Sequence, residues 1–125
     1  MKMMPFSVRV EPKGDRSHQV TVAGALDAHT FEKFFNALRE LVDAGALWIV
    51  LDFREMNYIG SVGINFLVNL RLQRKKAGGE VIMVKPQPAV RNVLELIGVL
   101  PALVVADSLE AAWSQIDSLK PPPVN

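Results

Sequence analysis

The chain contains no cysteine. Disulfides and thiolate metal sites are therefore excluded, and a reducing compartment is permitted. It has no excess of either charge: 14 Lys and Arg stand against 13 Asp and Glu, a net +1. A general basic field for nucleic acid is absent; the local exception is Arg71, Arg74, Lys75 and Lys76, with Lys85 and Arg91 further on. No apolar run approaches the roughly 18 residues of a membrane span, because charges interrupt each one. Met1 to Phe6 carries one Lys and no apolar stretch, so it does not read as a signal peptide. The two histidines, His18 and His29, lack ligand spacing; both are expected at the surface, and no metal or cofactor is expected. There is no Walker-type Gly-Lys-Ser pattern, no nucleophile with a paired His and no plausible carboxylate pair, which argues against an enzyme. The default location is the cytoplasm.

What is present is an ordinary globular composition, 50% hydrophobic and 22% charged over 125 residues. One domain of this size buries about two-thirds of the surface of its unfolded chain. Phe6 to Val10 and Gln19 to Ala23 alternate apolar and polar residues as half-exposed strands do. The turn-rich segment from Glu11 to Arg16 between them predicts an antiparallel hairpin with a long loop. Gly24 then breaks the pattern, and Asp27 is placed to cap a helix carrying Phe31, Phe34, Phe35, Leu38, Leu41 and Val42, with Gly45 as its stop. The unbroken apolar run Leu47 to Leu51 suits a strand covered on both faces. A second helix, with Ile64, Leu67, Val68 and Leu72, ends at Gly78-Gly79. Val81 to Val84 is a buried strand. Pro86 and Pro88 open a third helix that stops at Gly98. Leu103 to Val105 is a short strand, and Asp107 with Glu110 forms a capping box for a last helix burying Leu109, Ala112, Trp113, Ile116 and Leu119. Trp48 and Trp113 are expected in the core. The predicted class is α/β: a mixed sheet, begun by the hairpin and continued by strand–helix alternation, with about four helices. It forms one domain over 1–119, and a frayed Pro-rich tail is expected over 120–125.

The most informative segment runs from Leu51 through Tyr58-Ile59-Gly60-Ser61-Val62-Gly63 to Ile64, from a buried strand into a helix. Ser61 falls where an N-cap belongs. Gly60 and Gly63 carry no side chain to block an approaching molecule, and a helix start favours a phosphate. Met56, Tyr58 and Ile59 precede the turn, and any of them left exposed is an apolar anchor for a partner. Taken alone, the serine and glycines are also what a plain capped turn requires.

Here the sequence resembles the STAS domain, a fold shared by bacterial anti-sigma factor antagonists and the cytoplasmic tails of sulphate transporters. Gly24-Ala25-Leu26-Asp27 resembles the family's Gly-x-Leu-Asp. Leu51-Asp52-Phe53 followed by Tyr58 to Ile64 resembles its central Asp-Ser-Ser-Gly-Leu or Ser-Ser-Ala-Gly-Leu motif. Ala77-Gly78-Gly79 and Pro86 to Gly98 also fit, in the same order and over nearly the whole chain. The resemblance implies a partner surface of Asp27, Tyr58, Ile59, Gly60, Ser61, Val62 and Gly63. For the antagonists it implies a partner that is an anti-sigma factor and serine kinase, which phosphorylates the second hydroxyl residue of the motif to block binding. That acceptor position is Val62 here, Gly60 stands for the family's Asp, and Ser61 for its first Ser. The expectation is a protein-binding regulatory module without the usual phosphoserine switch, with Ser61 as the alternative acceptor. Other readings stay open: a STAS scaffold subunit of a lipid ABC transporter or of a stress-sensing complex, and a receiver-like domain phosphorylated on Asp52. A receiver, however, needs an acidic pair after its first strand to hold Mg²⁺, and Val10-Glu11-Pro12 does not supply one.

Overall fold

A computed structural model of the chain describes residues 5–122. Its five strands are β1 (Ser7–Gly14), β2 (Ser17–Leu26), β3 (Trp48–Ile59), β4 (Glu80–Val84) and β5 (Val105–Ala106). They form one sheet in sequence order, with β1 antiparallel to β2 and the other pairs parallel. The helices are α1 (Phe31–Asp43), α2 (Ser61–Lys76), α3 (Pro88–Ile97) and α4 (Leu109–Leu119), with a 3₁₀ turn at Leu100–Ala102. This is the α/β class, mixed sheet and helix number expected from the sequence.

Strand periodicity explains the layers. Successive side chains point to opposite faces. Ile49, Leu51 and Phe53 of β3 share one face with Val20, Val22, Val81 and Met83, and there α1, α2 and α3 set down Phe34, Leu38, Ile64, Leu67, Leu70, Val90 and Leu94. Trp48 and Val50 face the other way with Ile82 and Val84, and α4 covers them through Ala112 and Ile116. Both faces are covered, which is why Trp48 to Leu51 of β3 and Val81 to Val84 of β4 read as continuous apolar runs. Trp113 extends the α4 layer by donating its Nε1–H to Gln19 Oε1 at 3.0 Å.

The basic end of α2 is not simply a solvated helix terminus. Arg71 forks onto the buried Glu80, with Nε 2.9 Å from Oε1 and Nη2 3.2 Å from Oε2, and its Nη1 donates to the Ala102 carbonyl. Arg74 Nη1 donates to the Ala46 carbonyl at 2.9 Å. Charge-assisted forks of this kind pin the end of α2 to the entrances of β3 and β4.

Several expectations need correction. The long hairpin loop is absent: Pro12 pairs with His18 and Gly14 with Ser17, leaving a two-residue turn. An edge strand tolerates Pro12, and the register shift beside it is a bulge. Gly24 does not end its strand. It sits within β2 at φ +88, where a Cβ would lie 2.9 Å from Phe6 Cα, so only glycine fits this close backbone approach. Asp27 is not the N-cap of α1; Thr30 is, and Asp27 instead braces the turn before it. The short strand lies one to two residues later than predicted, and Ser108 rather than Asp107 caps α4, its Oγ accepting the Ala111 N–H. Leu119 is exposed, and His18 is half-buried. Lys120, counted with the tail, donates to Ser17 Oγ at 2.9 Å; the tail's 123–125 and the leading 1–4 lie outside the described residues.

Candidate functional site

β2 and β3 run parallel and end side by side, Ala25 opposite Tyr58 and Leu26 opposite Ile59. The segments that follow each strand therefore meet at one rim of the sheet, the rim at which parallel sheets commonly hold their ligands. Gly60 N–H donates to the Leu26 carbonyl at 2.9 Å and fixes the two exits together. Between them lies an open groove of about 210 Å³ lined by Leu26, Asp27, Ala28, Tyr58, Gly60, Ser61, Val62 and Gly63.

One wall is a rigid turn. Asp27 Oδ1 accepts the N–H groups of His29 at 2.9 Å and Thr30 at 3.2 Å, while Asp27 N–H donates to Thr30 Oγ1 at 3.0 Å. Thr30 Oγ1 in turn donates to the Ala25 carbonyl at 2.7 Å. Asp27 thus shapes the groove through backbone groups, the usual work of an Asx turn.

The other wall is the start of α2. Gly60, in extended conformation at φ −99 and ψ 174, holds the N-cap position, so Ser61 is the first helical residue and not the cap as expected. The N–H groups of the first helical turn precede any i−4 partner and carry the positive end of the helix dipole, and no acidic side chain stands there. Ser61 is exposed. Val62 is 52% exposed, and Tyr58, across Gly60 from it, is 51% exposed. These two are the large exposed apolar side chains of the groove. Gly63 is buried, and a Cβ on it would approach Leu26 Cδ2 to 2.9 Å, so its absent side chain serves the packing of α2 onto β2.

The structure therefore brings together Asp27, Tyr58, Gly60, Ser61, Val62 and Gly63, and leaves out Ile59. At 2% exposure Ile59 points into the core, and so does the fully buried Met56; of the three apolar residues before the turn only Tyr58 is available as an anchor. Leu26 and Ala28 belong to the groove and were missed. Leu26 lies in the Gly24–Asp27 motif, but its place beside the turn, like that of Ala28, follows from the parallel pairing of β2 with β3.

Asp52 does not end a strand; β3 runs seven residues beyond it to Ile59. Its carboxylate is buried and taken up by Arg54, with Nε 2.9 Å from Oδ1 and Nη2 2.8 Å from Oδ2, plus the Arg54 N–H. Burial pushes this carboxyl up, but the Arg54 hydrogen bonds and charge outweigh it and hold it below its ordinary value. An occupied carboxylate in mid-strand is poorly suited to accept a phosphoryl group. Among the described residues no group of three or more His, Asp or Glu is placed to hold a metal ion. No described helix is long and apolar enough to cross a membrane.

A single mixed sheet with helices on both faces, and a glycine-edged groove where its parallel strands β2 and β3 end, define a small α/β module. The chain belongs to the STAS domain family, whose model matches residues 10–112. It is 31% identical over 98 residues to a putative anti-sigma factor antagonist, BtrV of Bordetella bronchiseptica, an alignment spanning 78% of this chain and 84% of that protein. The fold matches the unphosphorylated form of the anti-sigma factor antagonist SpoIIAA with a TM-score of 0.77 at 22% identity, over 95% of this chain and 100% of the other. An anti-sigma factor antagonist from Mycobacterium paratuberculosis matches at TM-score 0.75 and 22% identity, over 90% and 95%.

Proposed function

We propose that this antagonist-like STAS domain is a non-enzymatic module of the cytoplasm. It binds an anti-sigma factor of the serine-kinase type through the groove at Tyr58–Gly63, without a phosphoserine switch at the usual position. The observation that carries this reading is Val62. It stands half-exposed at the second residue of α2, lining the groove, at the position where the family resemblance puts the phosphate acceptor. A valine there has no hydroxyl to modify and offers apolar surface to a partner instead. Burying an exposed half of a valine contributes about 1 kcal/mol to binding, and Tyr58 adds an aromatic anchor of the type that dominates interface energetics.

The test is capture of partners with the chain as bait, followed by incubation of the purified pair with ATP and intact-mass measurement. Recovery of a kinase-type anti-sigma factor and no added phosphate are expected, with one phosphate appearing on a Val62→Ser variant. Recovery of an ABC-transporter ATPase would move the assignment to a scaffold role. Phosphate mapped to Ser61 in the unaltered chain would overturn the unswitched reading.

A further inference from the structure

β1 is an edge strand. It pairs with β2 alone, and Ser7 to Gly14 is largely exposed along its length. Pro12 has no N–H to give, and prolines within sheets sit with that position turned to an open edge. Residues two apart share an orientation, so with the Pro12 nitrogen at the open edge Val8 and Val10 turn their backbone groups outward too, and Ser7, Arg9 and Glu11 turn theirs toward Ala23, Thr21 and Gln19 opposite them. An open edge is a template for another strand, and here Pro12 and the bulge after it blunt the far end and confine the usable stretch to Val8 through the Pro12 carbonyl.

We infer that β1 is a self-pairing edge, and that a second copy of this chain docks on it antiparallel about a two-fold axis through Val10. Charge fixes the register. With Val10 opposite Val10, Arg9 faces Glu11 of the second copy, and Glu11 faces its Arg9. Sliding the strand by one step toward the N-terminus puts Arg9 opposite Arg9. Sliding it the other way puts Glu11 opposite Glu11 and Arg9 opposite Lys13. Directly opposed like charges destabilise a strand pair and opposite charges stabilise it, so the centred register stands alone among these three.

The same register uses both outward N–H donors of the edge, those of Val8 and Val10, and leaves only the Val8 carbonyl without a strand donor, because Pro12 has no N–H. Val10 exchanges backbone hydrogen bonds with its symmetry mate, and the Val8 N–H meets the Pro12 carbonyl. Val10, 38% exposed in the single chain, is covered by its own copy. Val8, already packed against the core that α1 covers, extends that apolar layer across the axis. Within one chain Glu11 already holds Arg9 at 3.2 Å and Lys13 at 3.4 Å, so the charged row on the opposite face is preformed. A contact that is the same patch on both copies closes on itself and stops at two.

The experiment is sedimentation equilibrium over a concentration series for the full chain, for Glu11→Arg, and for the charge-swapped double variant Arg9→Glu with Glu11→Arg. Circular dichroism melts verify that each folds. The unaltered chain should dimerise, and more weakly as salt is raised. Glu11→Arg turns both attractive cross-pairs into repulsive ones and should weaken the dimer about tenfold or more. The swapped variant re-forms both pairs and should regain it. A chain that stays monomeric at every concentration would overturn the proposal. So would a dimer indifferent to Glu11→Arg, or a folded swapped variant that fails to recover. The outcome is independent of what binds the groove at α2.

Discussion

Gly63→Ala tests how the groove is built, because its effect is the difference of two opposed terms. An alanine favours a helix over glycine by up to about 1 kcal/mol, and less in a first turn. Its Cβ, however, would lie 2.9 Å from Leu26 Cδ2, 3.2 Å from Leu26 Cγ and 3.3 Å from Ile59 Cγ1, inside the roughly 3.5–4.0 Å of normal carbon contact. Leu26 is fully buried and cannot swing its tip to solvent. Overpacking of this kind costs about 1–3 kcal/mol, so Gly63→Ala should destabilise the domain by about 1 kcal/mol net. Leu26→Ala removes the obstructing atoms at a cost of about 2–5 kcal/mol for the cavity. In that background Gly63→Ala should become neutral to stabilising, a coupling of about 1–2 kcal/mol in a double-mutant cycle. Urea unfolding of the four proteins, at constant m-value, measures all terms. A Gly63→Ala that stabilises equally in both backgrounds would refute the seating of α2 on Leu26, and with it the placement of Ser61 and Val62.

Two further substitutions probe charge and capping. Burial pushes the Glu80 carboxyl up, but the Arg71 hydrogen bonds, the Val81 N–H and the Arg71 and Lys75 charges outweigh it, and the net shift is downward from 4.5. A folded-state value below the unfolded one contributes stability that is complete above about pH 4.5 and is lost as pH falls through the folded value. Glu80→Gln should therefore be less stable than the parent at pH 7, by roughly 1.5–3 kcal/mol for a charge-assisted bond. The gap should close on acidification; a gap constant from pH 7 to pH 3 in denaturant titrations would contradict the ion pair's role. Gly60→Asp should fold normally and gain a few tenths of a kcal/mol, since an N-cap carboxylate can accept a first-turn N–H. Gly60 has ordinary φ, and a Cβ there meets nothing closer than 3.7 Å, from Tyr58 Cε2. A lowered melting temperature would show that glycine is required.

The core elements were legible because their periodicities are clean. α1 sets Phe34 and Leu38 among charged residues, and Trp48 to Leu51 of β3 and Val81 to Val84 of β4 are apolar runs because helices cover both faces. The second half of β3 was not legible, and the reason is specific. Between Thr21 and Ala23 of β2 the partner strand advances from Asp52 to Glu55, and between Gly24 and Ala25 from Met56 to Tyr58. Each step inserts one extra residue, and a bulge resets which side chain points inward. The buried residues Phe53, Met56 and Ile59 thus recur every third position rather than every second. No alternation remains to mark a strand, and Met56 and Ile59 look like exposed anchors. The capping errors have another cause: Asp27, Thr30, Asp107 and Ser108 are all competent caps, and the choice between neighbours depends on where the strand before them ends.

The same bulges explain how the site tolerates change. Phe53, Met56 and Ile59 take the inward positions, so Tyr58 is turned outward beside a helix start held by the Gly60–Leu26 backbone bond and by Gly63 packing on Leu26. Position and shape rest on backbone and buried atoms, whereas Ser61 and Val62 project from the helix start with little packed against them. A residue so placed can be serine or valine at little cost to folding, since surface substitutions outside special contacts stay within about 0.5 kcal/mol. A phosphate on a serine at position 62 would sit at the positive helix end, close to the surface a partner must cover. A valine at the same place presents only apolar area. On the proposed reading, one exposed side chain then decides whether binding is gated at this surface or through the partner, without any change in the fold that displays it.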